Sequence, residues 1–491
     1  MAQSSPMEKA EFEQPVDDEG KCLEFRPFKL ALGFIPIPHC GRRSRTNPHM
    51  RAFWAATLAF MSAFIGWFAF APLLFYVRKD IGICDNNDAV QLDIENEKCE
   101  CTGECKTIIN NANICAVSFD ILTRFVLGSV IEKFGPANTD IMLLLWGALV
   151  VGCSALVTNA AGLITVRFFV SALGSTFVVN QFWNSIMFNR SVVGTANATA
   201  GGWGNLGGGL TQLLMPAIYA LFHDGFGLTL TLSWRMSMLV PAAFYLCLAT
   251  WIFFCTQDMP RPGRFSVAIL GKTTRAGPAT YLKCLMDYRV FLMIMQYGAC
   301  FGCELVMNVK LALHFADNFD VNPVAAGAMA MTFGAMNLFA RSLGGILSDV
   351  LNKHYNMSGR LWAHFLALFG QAVFLFLFGF MTKDVGVAPA IVVLAIFSIF
   401  VNAAEGTSYA IVPYMIPQEL PVVSAMVGAG GTLGAPIALN CLFRFFDNFL
   451  AFKLYAGYVM FWALTVLLMR WDQHGSMFSG PVAKTDVPTT A

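Results

Sequence analysis

Two arginines, Arg124 and Arg341, stand in long apolar stretches of the sequence and share one local pattern. Each is followed four residues later by a glycine and eight residues later by an acid, and the two acids are Glu132 and Asp349. The second copy of this pattern follows the first after nearly half the length of the chain. A guanidinium group in the middle of an apolar helix is costly, and such groups usually face a cavity on a substrate or ion path. Two of them facing one cavity would suit an anion, whereas a single one can equally be an ion-paired structural group.

A second pair of similar segments indicates that the chain is duplicated. The stretch GWGNLGGG surrounds Gly204 and Asn205, and the stretch GAGGTLGAP surrounds Gly431 and Thr432. These two segments are separated by almost the same length of chain as the two arginines, so both repeats belong to one duplication. The sequence therefore predicts a membrane protein of two related halves, each with one buried cation.

The composition restricts the class of protein. Of the 491 residues, 56% are hydrophobic and only 13% are charged, which is typical of a chain that crosses the membrane many times. The formal net charge of +1 gives no reason to expect nucleic acid or a polyacidic partner. The sequence lacks a nucleotide-binding loop, an HExxH motif and a nucleophile elbow in a soluble setting, so we expect neither an enzyme nor a cofactor.

Twelve apolar runs are long enough to cross a bilayer, which takes about 20 residues in a helix. They are residues 52–77, 108–131, 139–159, 162–188, 193–221, 232–256, 289–313, 323–351, 360–382, 386–414, 421–446 and 450–470. The predicted organisation is an N-terminal tail (1–51), a first six-helix half (52–256), a central loop (257–288), a second six-helix half (289–470) and a C-terminal tail (471–491). A transporter built from repeats has this layout, with its substrate between the halves.

The positive charges of the short loops predict the orientation. They cluster before the first span and in the central break, at Arg42, Arg43, Arg45, Arg51, Arg261, Arg264, Lys272, Arg275 and Lys283. By the positive-inside rule both segments are cytoplasmic, and an even number of spans then places both termini and the central loop inside the cell. We expect an integral protein of the plasma membrane, with an organelle membrane as the alternative.

The first loop, from Arg78 to Lys106, then lies outside the cytoplasm. It holds four closely spaced cysteines, Cys84, Cys99, Cys101 and Cys105. In an oxidising compartment such cysteines favour disulfides, whose pairing the sequence leaves open. A metal site is the alternative, although no histidine accompanies the cysteines.

Several segments resemble one known family. NPHMRAFW before the first span, AGGWGNLGGGLTQLLMP in the fifth, FARSLGGILSDVLNKHYNMSGRLWA in the eighth and GAGGTLGAP in the eleventh look like the nitrate/nitrite porters of the major facilitator superfamily, especially their eukaryotic high-affinity branch. The likeness runs from about Asn47 to Arg470. It implies the major facilitator fold, all α, with twelve transmembrane helices in two pseudo-symmetric six-helix halves.

The resemblance also implies roles for particular residues. In the family one arginine from each half clamps the anion, and these positions match Arg124 and Arg341. A guanidinium is always charged and offers a planar fork of donors, which fits a flat oxyanion better than a point charge does. The remaining implied contacts are two aromatic rings that sandwich the anion, a hydroxyl, an amide and a glycine that permits close backbone approach, at Phe64, Phe177, Tyr297, Asn205 and Gly201.

The sequence departs from the family in two places. Thr432 stands where many relatives carry an asparagine, so the second glycine segment loses an amide. Asp120 precedes Arg124 by four residues, a spacing that places both on one helix face. If they pair, the acid competes with the anion for the guanidinium. Asp120 then either neutralises and orients Arg124 or takes part in proton coupling.

Energy coupling is restricted by the membrane potential. Moving one negative charge into a cell costs about 2.3 kcal/mol per 100 mV, so accumulation of an anion requires more than one positive charge to enter with it. Symport with two or more protons fits, and Asp120, Glu304 and Glu405 are candidate proton carriers within spans. Exchange of nitrate for nitrite is an alternative that needs no titrating group, and a receptor for nitrate on a transporter fold is another.

The acids of the arginine pattern have a different predicted role. Glu132 and Asp349 lie in segments that resemble the major facilitator loop motif, at the cytoplasmic ends of the second and eighth spans. There an acid can bind a helix N-terminus or an arginine such as Arg360 and lock the outward-facing state. The expected partners of the protein are nitrate and nitrite, protons, membrane lipid and a small single-span accessory protein.

Overall fold

The computed structural model describes residues 15–25, 48–85, 99–189, 192–261, 263, 265–266, 278–416 and 419–480. The first half contains α1 (Pro48–Phe68), α2 (Phe70–Asp80), α3 (Glu104–Phe134), α4 (Pro136–Cys153), α5 (Ala160–Val170), α6 (Thr176–Met187), α7 (Val193–Ala220) and α8 (Leu230–Cys255). A short helix, α9 (Pro278–Leu285), precedes the second half. That half contains α10 (Tyr288–Asn318), α11 (Pro323–Ala335), α12 (Ala340–Phe378), α13 (Val387–Ile411), α14 (Leu420–Ala438) and α15 (Asn448–Leu464), and a hairpin of β1 (Arg470–Trp471) and β2 (Gly475–Ser476) follows.

Helices occupy all twelve predicted positions, with ends that differ from the predicted ones by a few residues. In the described part of the chain, nine helical stretches are long and apolar enough to cross a membrane. One of them, Pro323–Phe378, has 56 residues and holds two predicted spans. The helices α3 and α7 are long but fall outside this set, because α3 carries several charges and α7 is rich in glycine. For these two helices the span assignment remains a prediction.

Breaks inside the spans position the functional side chains. Helix α12 is two helices that meet at Asn356, where a φ of 54° lies outside the helical range. A 3-10 turn, Met336–Leu338, separates α11 from α12 just before Arg341. Another 3-10 turn, Ser171–Ser175, separates α5 from α6 just before Phe177. The two 3-10 turns therefore lie within a few residues of predicted site residues, whereas the kink at Asn356 lies between two predicted spans.

Three helix pairs make the most extensive contacts between the two halves. Helix α2 packs against α10, α3 against α14, and α7 against α11. The closest approach is between α7 and α11, where a Cβ on either Gly209 or Gly334 would overlap the backbone of the other glycine. Because neither residue has a side chain, the two backbones are in direct contact at this point.

The first interhelical loop defines one end of the molecule, called here the disulfide end. The structure pairs Cys84 with Cys99 and Cys101 with Cys105, as the disulfide interpretation predicted. The opposite end, called the terminal end, holds residues 15–25 and the β1–β2 hairpin.

Asp85 organises the start of α3 at the disulfide end. Its carboxylate accepts hydrogen bonds from the backbone N–H groups of Thr102 and Gly103, each at 2.7 Å, and of Cys105 at 3.1 Å. These bonds, that of Gly103 foremost, hold the pKa of Asp85 below its usual range. The acid thus binds one N–H group of the first helical turn, that of Cys105, and two N–H groups of the segment just before the helix.

Candidate anion-binding site

The two predicted arginines lie against one aromatic ring. Arg124 on α3 and Arg341 on α12 are buried, with 2% and 4% of their surface exposed. The Cζ atom of each lies 5.5 Å from the centroid of the Phe177 ring. Because both Cζ atoms lie at this distance from the same centroid, they are separated by at most twice that distance. One guanidinium from each half thus faces the same ring, well away from lipid.

Arg124 is held by groups from both halves. Its Nε donates to Oδ2 of Asp120 at 2.6 Å, and its Nη2 donates to the Gly174 carbonyl at 3.1 Å. Its Nη1 donates to the carbonyl of Gly428, a residue of the second half, at 3.3 Å. The Phe301 ring, also from the second half, lies 5.5 Å from its Cζ.

Asp120 joins the two halves. In addition to Arg124 it accepts a hydrogen bond from Ser175 Oγ on Oδ1 and one from Thr432 Oγ1 on Oδ2, both at 2.9 Å. Three donors converge on this buried carboxyl, an arrangement that stabilises a carboxylate. Thr432, where the family pattern led us to expect an amide, therefore bonds the acid that pairs with Arg124.

Arg341 has a matching acid within its own half. Its Nη1 donates to Oε2 of Glu405 at 2.7 Å, and its Nη2 donates to the Tyr297 hydroxyl at 3.1 Å. Glu405 is fully buried and also lies within interaction distance of a second acid, Glu304. Each arginine is therefore neutralised by one buried acid, Asp120 in the first half and Glu405 in the second.

A third buried acid, Glu304, accepts hydrogen bonds from two amides and also interacts with the neighbouring acid Glu405. Asn205 donates to its Oε2 at 3.1 Å and Asn337 to its Oε1 at 2.9 Å. By the two repeat offsets of the sequence, Asn337 is the repeat partner of Asp120, and Asn205 is that of Thr432. The same two repeat positions thus meet across the halves twice. Asp120 and Thr432 bond each other directly, whereas Asn337 and Asn205 both bond Glu304.

Two glycines bring backbone close to the arginines. A Cβ on Gly201 would lie 3.6 Å from Nε of Arg341, and a Cβ on Gly428 would lie 3.5 Å from Nη1 of Arg124. Each glycine belongs to the half opposite its arginine, and the two occupy matching positions of the glycine-rich repeat. Only Gly201 was predicted, although the repeat would have identified Gly428.

Aromatic rings form the walls of the site. Phe177 stacks against Phe301 at 6.4 Å, and Tyr297 and Tyr409 meet edge to face at 5.2 Å. Phe301 and Tyr409 were not predicted, yet each follows a site residue by four positions on the same helix, Tyr297 and Glu405 respectively. That spacing places a residue on the same face and is the signal that could have found them.

Phe64 lies one ring further from the arginines. Its nearest ring partner is Phe60 at 4.6 Å, and Phe60 in turn lies 5.5 Å from Phe177. The structure therefore brings Arg124, Arg341, Phe177, Tyr297 and Gly201 together, with Asn205 at Glu304 and Phe64 behind Phe60. A sandwich of the anion between Phe64 and Phe177 remains a prediction.

The predicted gating acids lie at the terminal end. Asp349 accepts an ion pair from Arg360 Nη2 at 2.7 Å, as the loop motif suggested. Arg360 also donates to Ser348 Oγ at 3.2 Å and lies over the Tyr414 ring. The side chain of Glu132 lies outside the described part of the structure. Asp349 and Arg360 belong to the same half, so their ion pair does not itself hold the two halves together in the described state. A conformational role of either acid remains a prediction.

Metal binding has no support in the described part of the chain, since no three His, Cys, Asp or Glu residues there are grouped as metal ligands. The four cysteines that suggested this alternative are paired in disulfides.

The fold and the sequence define the class of protein. Residues 56–439 match the family model of the Major Facilitator Superfamily. Among solved structures, the chain is similar to the nucleoside transporter NupG, with a TM-score of 0.53 and 13% identity over 84% of this chain and 98% of that one. The chain therefore belongs to the Major Facilitator Superfamily, with the transporter fold that the resemblance implied.

Closer relatives specify the branch. The chain is 33% identical to the high affinity nitrate transporter 2.5 of Arabidopsis thaliana over 96% of this chain and 87% of that protein. It is also 33% identical to the nitrate transporter 2.1 of Chlamydomonas reinhardtii, over 89% and 77% of the two chains. Within the superfamily, the chain is thus a member of the nitrate transporter family that the motifs indicated.

Proposed function

We propose that this protein imports nitrate, with nitrite as a second substrate, by proton symport through alternating access. The observation that supports this function most directly is the position of Arg124 and Arg341, one from each half, over the single ring of Phe177. The names of the relatives indicate the substrate, and the geometry offers it a suitable environment.

Nitrate is a flat monovalent anion with three equivalent oxygens and weak hydration. Two guanidinium forks can donate to different oxygens of such an anion at the same time. The aromatic face of Phe177 stabilises both cations in the absence of substrate. Because Tyr297, Tyr409 and Phe301 exclude water, hydrogen bonds to nitrate are stronger here than in bulk solvent.

The acids of the site supply a reason for proton coupling. In the described state Asp120 occupies Nε of Arg124 and Glu405 occupies Nη1 of Arg341, so the two ion pairs have no net charge to offer an anion. A proton on each acid leaves two guanidiniums without a counter-ion, and nitrate then replaces the acids as their partner. Two protons and one nitrate carry a net charge of +1, which the negative interior potential favours.

The contacts between the halves support an assignment of the conformational state. Arg78 of α2 pairs with Asp317 of α10 at 2.8 Å, and Asn110 of α3 donates to the Phe443 carbonyl at 3.1 Å. These contacts close the seam at the disulfide end. Since disulfides persist in oxidising compartments, that end faces away from the cytoplasm. The state is then inward-facing, both termini are cytoplasmic, and nitrate leaves toward the terminal end.

Voltage-clamped oocytes that express the protein test this function. We expect nitrate to elicit an inward positive current that grows as the external pH falls, and we expect Arg124→Ala and Arg341→Ala each to abolish it at unchanged surface expression. Arg124→Lys and Arg341→Lys should recover little of the current, because an ammonium group lacks the planar fork. Arg289→Lys is the matched control, since Arg289 pairs with Asp287 near the terminal end and should tolerate the change.

Three results would contradict the proposal. Nitrate uptake without current that requires nitrite inside the cell would show exchange. Saturable nitrate binding without flux would show a receptor. Kinetics like those of the wild type in either lysine variant would refute recognition by a guanidinium fork.

A further inference from the structure

A second group of buried cations lies apart from the Arg124 and Arg341 site. Arg167 on α5 is 1% exposed, and none of its three guanidinium nitrogens has a hydrogen-bond partner among the described residues. An unpaired charge removed from water is among the most costly arrangements in a protein, because the lost hydration is not replaced. This arginine therefore requires a partner that the described side chains do not supply.

A lysine of the opposite half lies within electrostatic range of Arg167. Lys310 on α10 is 7% exposed, and it interacts electrostatically with two other cations, Lys106 and Arg167. Its ammonium group donates to Oδ1 of Asn110 at 2.6 Å, a neutral partner. The acid that acts on Lys310, Asp317, is already engaged by two nitrogens of Arg78, at 2.8 and 3.3 Å. Two buried cations thus lie within electrostatic range of each other, and neither has an acid of its own in the described structure.

An amide completes the group. Asn113 follows Asn110 by three residues on α3, so both lie on one face of the helix. Asn113 is fully buried, and neither its Nδ2 nor its Oδ1 has a hydrogen-bond partner among the described residues. Arg167, Lys310 and Asn113 thus provide several unpartnered or exchangeable donor groups in one buried region.

The group lies between the central site and the disulfide end. Asn113 precedes Arg124 by eleven residues, Arg167 precedes Phe177 by ten, and Lys310 follows Phe301 by nine. At 1.5 Å per helical residue these separations correspond to about 13 to 17 Å along the spans. All three displacements point toward the disulfide end, and the residues come from both halves, so the group lies on the seam that opens in transport.

We propose that Arg167, Lys310 and Asn113 form a second binding site, the outer anion site, for a small monovalent anion such as nitrate. Such an anion neutralises positive charge for which the described residues supply no counter-ion. It can also accept hydrogen bonds from the guanidinium group of Arg167 and from the amide of Asn113. Three buried side chains cannot replace the hydration shell of a strongly hydrated polyvalent anion such as phosphate. When the disulfide end opens, the same charges raise the local concentration of anions at the entrance. The site does not depend on proton coupling or on the direction of transport.

The number of nitrate ions bound per chain tests the outer anion site. Equilibrium dialysis of the full chain in nanodiscs against saturating 15N-nitrate should give two ions for the wild type and one for Arg167→Met. Arg167→Lys should keep two, because the positive charge remains. Arg235→Met is the control, since Arg235 belongs to the disulfide end of the first half but already pairs with Asp80 at 3.2 Å, and it should also keep two.

The central and outer sites are separated by a further variant. The double variant Arg124→Ala and Arg341→Ala should still bind one nitrate if the outer anion site exists, whether or not the central site transports nitrate. If Arg167→Met fails to fold, as judged by size-exclusion chromatography, Lys310→Met should lose the same ion. A wild type that binds only one nitrate, which the double variant loses, overturns the proposal, as does a second ion that survives both methionine variants.

Discussion

Replacement of Glu405 by glutamine tests the proposed competition between acid and anion. Glu405 Oε2 lies 2.7 Å from Arg341 Nη1, and the acid is fully buried. Opposite charges with centres about 4 Å apart interact by about 4 kcal/mol at an effective dielectric constant of about 20. Because about 1.4 kcal/mol corresponds to tenfold, an ionised Glu405 can weaken nitrate binding by up to about a thousandfold. Glutamine keeps the shape of the side chain and removes the charge.

The assay is nitrate affinity as a function of pH. Wild-type protein in nanodiscs should bind nitrate more weakly as the pH rises, since binding takes up a proton at Glu405 and another at Asp120. Glu405→Gln should bind nitrate at least tenfold more tightly than the wild type at pH 8 and with similar affinity at pH 5. In proteoliposomes the variant should still exchange labelled for unlabelled nitrate but should lose proton-driven accumulation.

The control for this experiment is Asp384→Asn, which removes an exposed loop carboxylate and should preserve the pH dependence. A wild-type affinity that does not change between pH 5 and pH 8 would refute the reasoning. So would a glutamine variant whose affinity follows that of the wild type at every pH, because the acid would then not compete with nitrate.

Three other variants have expected outcomes. Thr432→Val should remove the hydrogen bond to Asp120. The initial rate of 15N-nitrate uptake should then depend less on pH than it does in the wild type, whereas an unchanged pH profile would assign Thr432 to packing alone. Asp349→Ala should release Arg360 and shift the balance of inward and outward states in cysteine crosslinking, without a change in the preference for nitrate over chloride; an unchanged distribution would count against gating. Asp85→Asn should lower thermal stability by about 1 kcal/mol, the usual contribution of a helix cap. Because the pKa of Asp85 is lowered in the folded state, this contribution is complete above the ordinary aspartate range and is lost as the pH falls below that range. The stabilities of wild type and variant should therefore converge at acid pH, and a constant difference would contradict the role of the carboxylate.

Much of the fold follows from hydropathy and repetition. Apolar runs of the right length specify the helix positions, and the repeats at Arg124 and Arg341 specify the two halves. The apolar runs at α3 and α7 are weaker because these helices carry charges and glycines, and the repeats mark the same two helices independently. Charge and glycine are concentrated there because these helices line the site, so the helices that hydropathy identifies least well are functionally the most informative.

The contacts inside the site could not be predicted in the same way. Asp120 and Thr432 come from different halves, and their hydrogen bond depends on the tilt of two helices that are distant in the sequence. The sequence presented Glu304 and Glu405 as equivalent buried acids, yet only Glu405 pairs with an arginine while Glu304 is bound by amides. Side-chain reach and helix rotation decide between such groups, and neither is encoded in residue type or spacing.

The glycine contact between α7 and α11 has a mechanical consequence. Where Gly209 touches Gly334, the seam consists of bare main chain, without interdigitated side chains that would have to disengage before one lobe tilts against the other. The two halves should therefore tilt against each other at this contact with a low energy barrier. The lifetime of each conformation is then governed by ion pairs and hydrogen bonds at the two ends of the seam, such as the ion pair between Arg78 and Asp317.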